Sequence, residues 1–132
     1  MPDDAPLSVD TLYLSTGEAP FVRLVAAFYQ QIPQDPLLGP MYPADDLAGA
    51  EQRLLDFLVF RCGGPARYLE TRGHPKLRIR HAPFAVSPQA RDHWLRLMAN
   101  AFDTADWPVP QRRCLEDFLA SVADFLINRP AG

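Results

Sequence analysis

Apolar positions along this chain recur at helical spacing, and no stretch alternates as a half-buried strand would. Phe21, Leu24, Val25, Phe28 and Ile32 form the first long stripe. It follows a helix start at Ser15-Thr16-Gly17-Glu18 and stops at Pro33. Tyr29 stands four residues after Val25 and borders the stripe, an apolar ring whose hydroxyl needs a partner. Asp45-Asp46 caps a second helix, expected near 46–61. Leu47, Ala50, Leu54, Phe57 and Leu58 face inward, Arg61 ends that face and Arg53 sits on its flank. Ser87-Pro88 starts a third helix that runs to about Asp103, with Ala90, Trp94, Leu97, Met98, Ala101 and Phe102 on one side. After the break at Trp107-Pro108-Val109-Pro110, a fourth spans Pro110 to Asn128. Its inward set is Cys114, Leu115, Phe118, Leu119, Val122, Phe125 and Leu126. The pattern predicts an all-α domain of four main helices over residues 15–132. A polar tail over 1–14 precedes it, with Leu12, Tyr13 and Leu14 as its docking residues.

The connections are less regular. Residues 34–44 hold three prolines and one glycine, which allow one short helical turn around Pro36 to Met41 and then an extended corner at Tyr42-Pro43. Cys62-Gly63-Gly64-Pro65 ends the second helix. A stretch with little periodicity follows as far as Pro75, apart from a turn at Ala66–Glu70. Pro75 suits the first position of a short helix that reaches His81, and Pro83 stops it. Leu77, His81 and Phe84 fall on one side of this segment, with Arg78 and Arg80 close by. A plain bundle would leave residues 62–84 with little to pack on. A flat apolar cofactor between helix pairs would give that segment and the His81 imidazole a purpose. Its acidic groups would then lie near Arg53, Arg78 or Arg80.

Charge and composition narrow the function classes. The net charge is -3 and the isoelectric point about 5.5, with no basic run to neutralise phosphates, so a nucleic-acid role is not expected. No apolar stretch has the length of a membrane span, and the start lacks a signal peptide's pattern. The expectation is a soluble, cytoplasmic protein. Cys62 and Cys114 define no zinc or redox motif and read as reduced thiols.

By spacing alone, His81 stays open between a metal ligand and an ordinary hydrogen-bonded core histidine. His74 reads as a cap before a helical proline. His93, beside Trp94 but turned away from it on a helix, reads as exposed. Tyr29, Tyr42 and Trp94 are core residues by default. They become a ligand-binding roof only if they converge on one cavity.

Taken together, several motifs in one order carry a resemblance. They are Tyr42-Pro43-Ala44-Asp45-Asp46-Leu47-Ala48-Gly49-Ala50-Glu51, Gly63-Gly64-Pro65, Arg72-Gly73-His74-Pro75, Arg80-His81-Ala82-Pro83-Phe84 and Arg91-Asp92-His93-Trp94-Leu95. Over roughly residues 18–128 the chain resembles the group II truncated haemoglobins, small haem proteins with a two-over-two helical fold. It departs from their usual pattern at Thr16-Gly17-Glu18-Ala19, where a glycine pair is common, and at Arg61-Cys62, where aromatics are common.

The resemblance implies a truncated globin, a two-over-two helical sandwich around haem b (iron protoporphyrin IX). His81 is the implied iron ligand. Tyr29, Tyr42, Trp94, Ala50 and Leu54 are implied on the distal, ligand-facing side. Phe57, Leu58, Leu77, Phe84 and Met98 are implied in the pocket wall, and Arg53, Tyr68 and Arg78 near the propionates. The implied ligands are O2, CO, NO or peroxide, bound at ferrous iron and released slowly by a monomer or homodimer. The competing reading is a redox enzyme of peroxidase or nitric-oxide dioxygenase type. It would need an external reductase, because no flavin or nicotinamide motif is present. A haem-free helical interaction domain is the third.

Overall fold

The structure is a computed structural model that describes residues 7–42, 44–73 and 86–128. The expected helix ending at His81 therefore lies outside the described residues, with His74, Leu77, Arg78, Phe84 and Pro43. A 3-10 turn at Val9–Thr11 leads into α1 (Leu12–Thr16), followed by α2 (Ala19–Gln31). Two further 3-10 turns, Ile32–Gln34 and Gly39–Met41, carry the chain round to α3 (Leu47–Arg61) and the short α4 (Arg67–Arg72). The long helices α5 (Pro88–Ala105) and α6 (Val109–Phe125) complete the described residues, among which there is no strand.

Local chemistry sets these boundaries. At the start of α5 the Ser87 Oγ accepts a hydrogen bond from the Ala90 N–H at 3.0 Å, and Pro88 occupies the first turn, as expected. The hydroxyls near residue 15 do not cap α2. Thr16 donates back to the Leu12 carbonyl at 3.1 Å within α1, and Gly17 (φ 77°) turns the chain so that α2 starts at Ala19. Asp46 stands at the N-cap of α3 but makes no capping bond. Its carboxylate receives Arg53, one flank along the same helix, at 3.0 Å.

α2 is the spine. It packs against both α3 and α5, α5 pairs with α6, and α4 lies on α3. The two pairs, α2/α3 and α5/α6, meet chiefly where α2 crosses to α5. Phe21, Leu24, Val25, Phe28 and Ile32 are all buried, with Leu58 and Val59 from α3, Leu97, Met98, Ala101 and Phe102 from α5, and Leu115 and Leu119 from α6. Each buried Leu, Ile, Val, Phe or Met side chain among these stabilises the fold by about 1.5–3 kcal/mol.

The N-terminal segment is helical from Val9 onward. Leu12 is fully buried and the Tyr13 ring packs on Phe21, while Leu14 points to solvent at 88% exposure. The segment crosses the end of α3, where the Tyr13 N–H donates to the Cys62 carbonyl at 2.9 Å. Gly63 makes the crossing possible. Its φ is 94°, and a Cβ there would stand 2.2 Å from the Asp10 carbonyl oxygen. Two inward expectations are corrected. Phe125 is 56% exposed at the last turn of α6. Arg61 runs outward across the Phe118 ring, 4.9 Å from its centroid, to an ion pair with Asp10 at 2.5 Å.

Candidate functional site

Three elements meet around Phe28 and Tyr29. Tyr29 comes from α2, Tyr42 from the corner after the Gly39–Met41 turn, and Trp94 from α5. The fully buried Phe28 ring lies 5.2 Å from the Tyr29 ring and 5.3 Å from the Trp94 ring. The two tyrosines meet edge to face at 5.7 Å and 89°. Thus the three amphipathic side chains whose convergence the sequence left open do share one neighbourhood.

Their polar tips remain phenols. Burial is the largest influence on Tyr29 and raises its pKa well above the ordinary range. The neighbouring Tyr42 pushes the same way, and the Arg53 charge opposes only in part. Tyr42 as a whole residue is half-buried, but its phenol end is enclosed and the pKa is pushed up to about 12. The Trp94 indole, which faces that oxygen, works in the opposite direction. At neutral pH both phenols keep their protons and can donate. The Tyr29 hydroxyl has no partner among the described residues.

α3 supplies an apolar side to this neighbourhood. Ala50 is buried, Leu54 is half-buried one turn on, and Phe57 and Leu58 are buried beyond it. Phe57 meets the buried Tyr68 of α4 edge to face at 5.5 Å, and Met98 is buried on α5. Arg53 is half-buried and held by Asp46. Of the sequence-derived site residues, His81, Leu77, Arg78 and Phe84 lie outside the described residues.

The reading of His93 as exposed is corrected. Its side chain is 26% exposed, and Nδ1 faces Asp35 at 3.2 Å from Oδ1 and 3.1 Å from Oδ2. A carboxylate only accepts, so Nδ1 carries the proton. Asp35 is a buried charged residue that the motif reading missed. Its Oδ1 accepts from the Leu37 N–H at 2.9 Å and the Leu38 N–H at 2.7 Å. Burial opposes its ionisation, but the bonds from Leu38, His93 and Leu37 prevail and hold its pKa below the ordinary value. The dipeptide Asp35-Pro36 is the sequence signal for such a turn.

Among the described residues, no group of three or more His, Cys, Asp or Glu side chains could hold a metal ion. With His93 committed to Asp35, the other two histidines, His74 and His81, lie outside the described residues. The half-buried Leu54 and Trp94 beside two protonated phenols suit a flat apolar group that presents a small polar ligand. Among the described residues no cluster of carboxylates gathers there for a hard divalent cation. The donor set therefore fits a planar organic cofactor such as haem.

Known proteins agree with this architecture. Residues 11–128 match the model of the family described as bacterial-like globin. The group 2 truncated hemoglobin of Bacillus subtilis strain 168 is 34% identical over 122 residues, 92% of this chain and 92% of that one. The crystal structure of the group II truncated hemoglobin from Bacillus anthracis superposes with a TM-score of 0.88 at 34% identity, over 92% of this chain and 94% of that one. A truncated oxygen-avid haemoglobin from Bacillus subtilis superposes at 0.85 with 35% identity, over 89% of this chain and 99% of that one. No helix among the described residues is long and apolar enough to cross a membrane.

Proposed function

Because the chain belongs to the bacterial-like globin family and has the two-over-two helical fold of its group II truncated haemoglobins, we propose that it binds O2 and other small diatomic ligands at a ferrous haem and releases them slowly. Haem binding comes with the family, and haem b is the form we assign. When bound, that group supplies an iron with one open position for a small ligand. We assign His81 as the protein's ligand to the iron. The Arg80-His81-Ala82-Pro83-Phe84 motif supports this, and so does the engagement of His93 with Asp35. Leu77 and Phe84 are assigned to the pocket wall on the same resemblance, and Arg53, Tyr68 and Arg78 to the rim near the cofactor's acidic groups.

One observation carries the ligand reading: Tyr29, Tyr42 and Trp94 come together as protonated donors beside the apolar face of α3. Tyr42 faces the Trp94 indole and keeps its own proton to donate. Ala50 and Leu54 offer no polar atom, so donation to a ligand falls to the aromatic trio. A donor aimed at a small ligand favours one that carries negative charge over one that does not. A single hydrogen bond to a charged acceptor is worth about 1.5–3 kcal/mol, which slows release by about ten- to a hundredfold. The oxygen-avid Bacillus subtilis haemoglobin, similar along nearly its whole length, fits that expectation.

The test is a visible spectrum of the purified protein in its ferric, ferrous and CO-bound forms, repeated for His81→Ala. The wild type should show a Soret band that shifts on reduction and again with CO. The variant should retain little or no haem. A variant with normal haem content and unchanged spectra would remove His81 from the assignment, and a wild type that takes up no haem would overturn the whole reading.

A further inference from the structure

The corner that carries Tyr42 meets α5 at two points. At the inner one the Trp94 indole faces the Tyr42 hydroxyl, beside the Phe28 ring at 5.3 Å. The outer one is His93, the residue just before Trp94, whose Nδ1 donates to Asp35 at 3.1–3.2 Å. Asp35 in turn organises the corner. Its carboxylate takes the N–H groups of Leu37 and Leu38, and its carbonyl takes the Gly39 N–H at 2.9 Å. From Gly39 the chain makes one 3-10 turn and delivers Tyr42, whose own N–H donates to the Gly39 carbonyl at 3.2 Å. The Asp35 side chain is only 4% exposed. It has three donors besides Arg96, whose guanidinium stands 3.9 Å away and is 59% exposed. His93 is the one of these three that reaches it from another helix.

Adjacent residues on a helix point about 100° apart. His93 and Trp94 therefore hold two sides of the same corner, one through its buried carboxylate and one through its aromatic tip. We propose that His93 is a positioning residue: by donating to Asp35 it fixes the corner against α5 and keeps the Tyr42 phenol facing the Trp94 indole. Its geometry stands independently of the ligand-binding reading, while its effect on ligand release rests on that reading.

The experiment uses the haem-loaded ferrous CO complex and follows the exchange of the two indole protons by NMR. Trp107 is the internal reference, because its N–H is bound to the Pro20 carbonyl at 3.0 Å, away from this corner. In His93→Ala the Trp94 proton should exchange about tenfold faster while the Trp107 proton keeps its rate. O2 dissociation should quicken by about two- to tenfold. His93→Gln, which restores an N–H donor, should recover most of both. In a Trp94→Phe background, His93→Ala should add nothing to O2 release.

Unchanged Trp94 exchange in a folded His93→Ala protein would overturn the proposal. Equal acceleration of both indole protons would also overturn it, since that marks general loosening. If Trp94→Phe itself leaves O2 release unchanged, the ligand reading fails, and the indole exchange still decides whether His93 holds the corner. Should His93→Ala not fold, Asp35→Asn gives the same readout, because it keeps an oxygen for Leu37 and Leu38 while weakening the bond to His93.

Discussion

The chain's two tryptophans both pack on phenylalanine rings and do opposite things. Trp107 is buried and meets Phe21 edge to face at 5.0 Å and Phe102 at 5.3 Å. Its indole N–H is satisfied by the Pro20 carbonyl. Nothing about it remains to be paired. Trp94 also has an aromatic neighbour, Phe28 at 5.3 Å, but it is half-buried, and its indole faces a side chain that still has a proton to give. A closed aromatic cluster stores stability. An aromatic cluster with donors left over stores recognition, because an approaching ligand completes its hydrogen bonding.

The largest expected break in that contrast is Trp107→Ala. It should cost about 3–5 kcal/mol in denaturant unfolding and leave the O2 dissociation rate of the folded protein unchanged. A faster O2 dissociation there would mean the two clusters are not separate. Next comes Trp94→Phe, which keeps the ring and deletes the donor. O2 release should rise by about tenfold while unfolding shifts by less than about 1 kcal/mol, read by stopped-flow and by melting. A stability loss as large as that of Trp107→Ala, with no kinetic change, would make Trp94 a second core tryptophan.

The smallest effect is alkaline. Tyr42 titrates near 10 when unfolded and is pushed up to about 12 when folded, chiefly by burial. The folded state holds the proton more tightly, so its advantage is whole below about pH 10 and is lost as pH rises toward 12. Melting temperatures should therefore fall over that window. The fall should be shallower in Tyr42→Phe, where Tyr29, also raised by burial, keeps part of the slope.

Much of this fold was legible because the long helices obey one period. The stripe of α2 and the Ser87-Pro88 start of α5 stand where the pattern put them. The expected α2 start at Ser15 failed for a local reason, since the Thr16 hydroxyl closes α1 instead. Phe125 keeps the spacing of the inward set yet is exposed at the last turn of α6, and periodicity does not report how far a neighbour extends. At the site, residue types announced amphipathic donors, but their meeting depends on the corner at 35–42, whose course periodicity does not encode. The Asp35–His93 pair, 58 residues apart, was invisible for the same reason. Either residue alone looks like a turn former or a surface imidazole.

The crossing of the N-terminal turn over Gly63 has a practical consequence. Cys62 lies beneath it with no exposed surface, and burial pushes its thiol up to about 12, so it is inert while the turn is seated. Detachment of that turn would uncover a single sulfur at the foot of α3. The chain thus carries its own chemical gauge of N-terminal opening: the alkylation rate at Cys62 counts how often residues 9–16 lift away, without any probe having to be introduced.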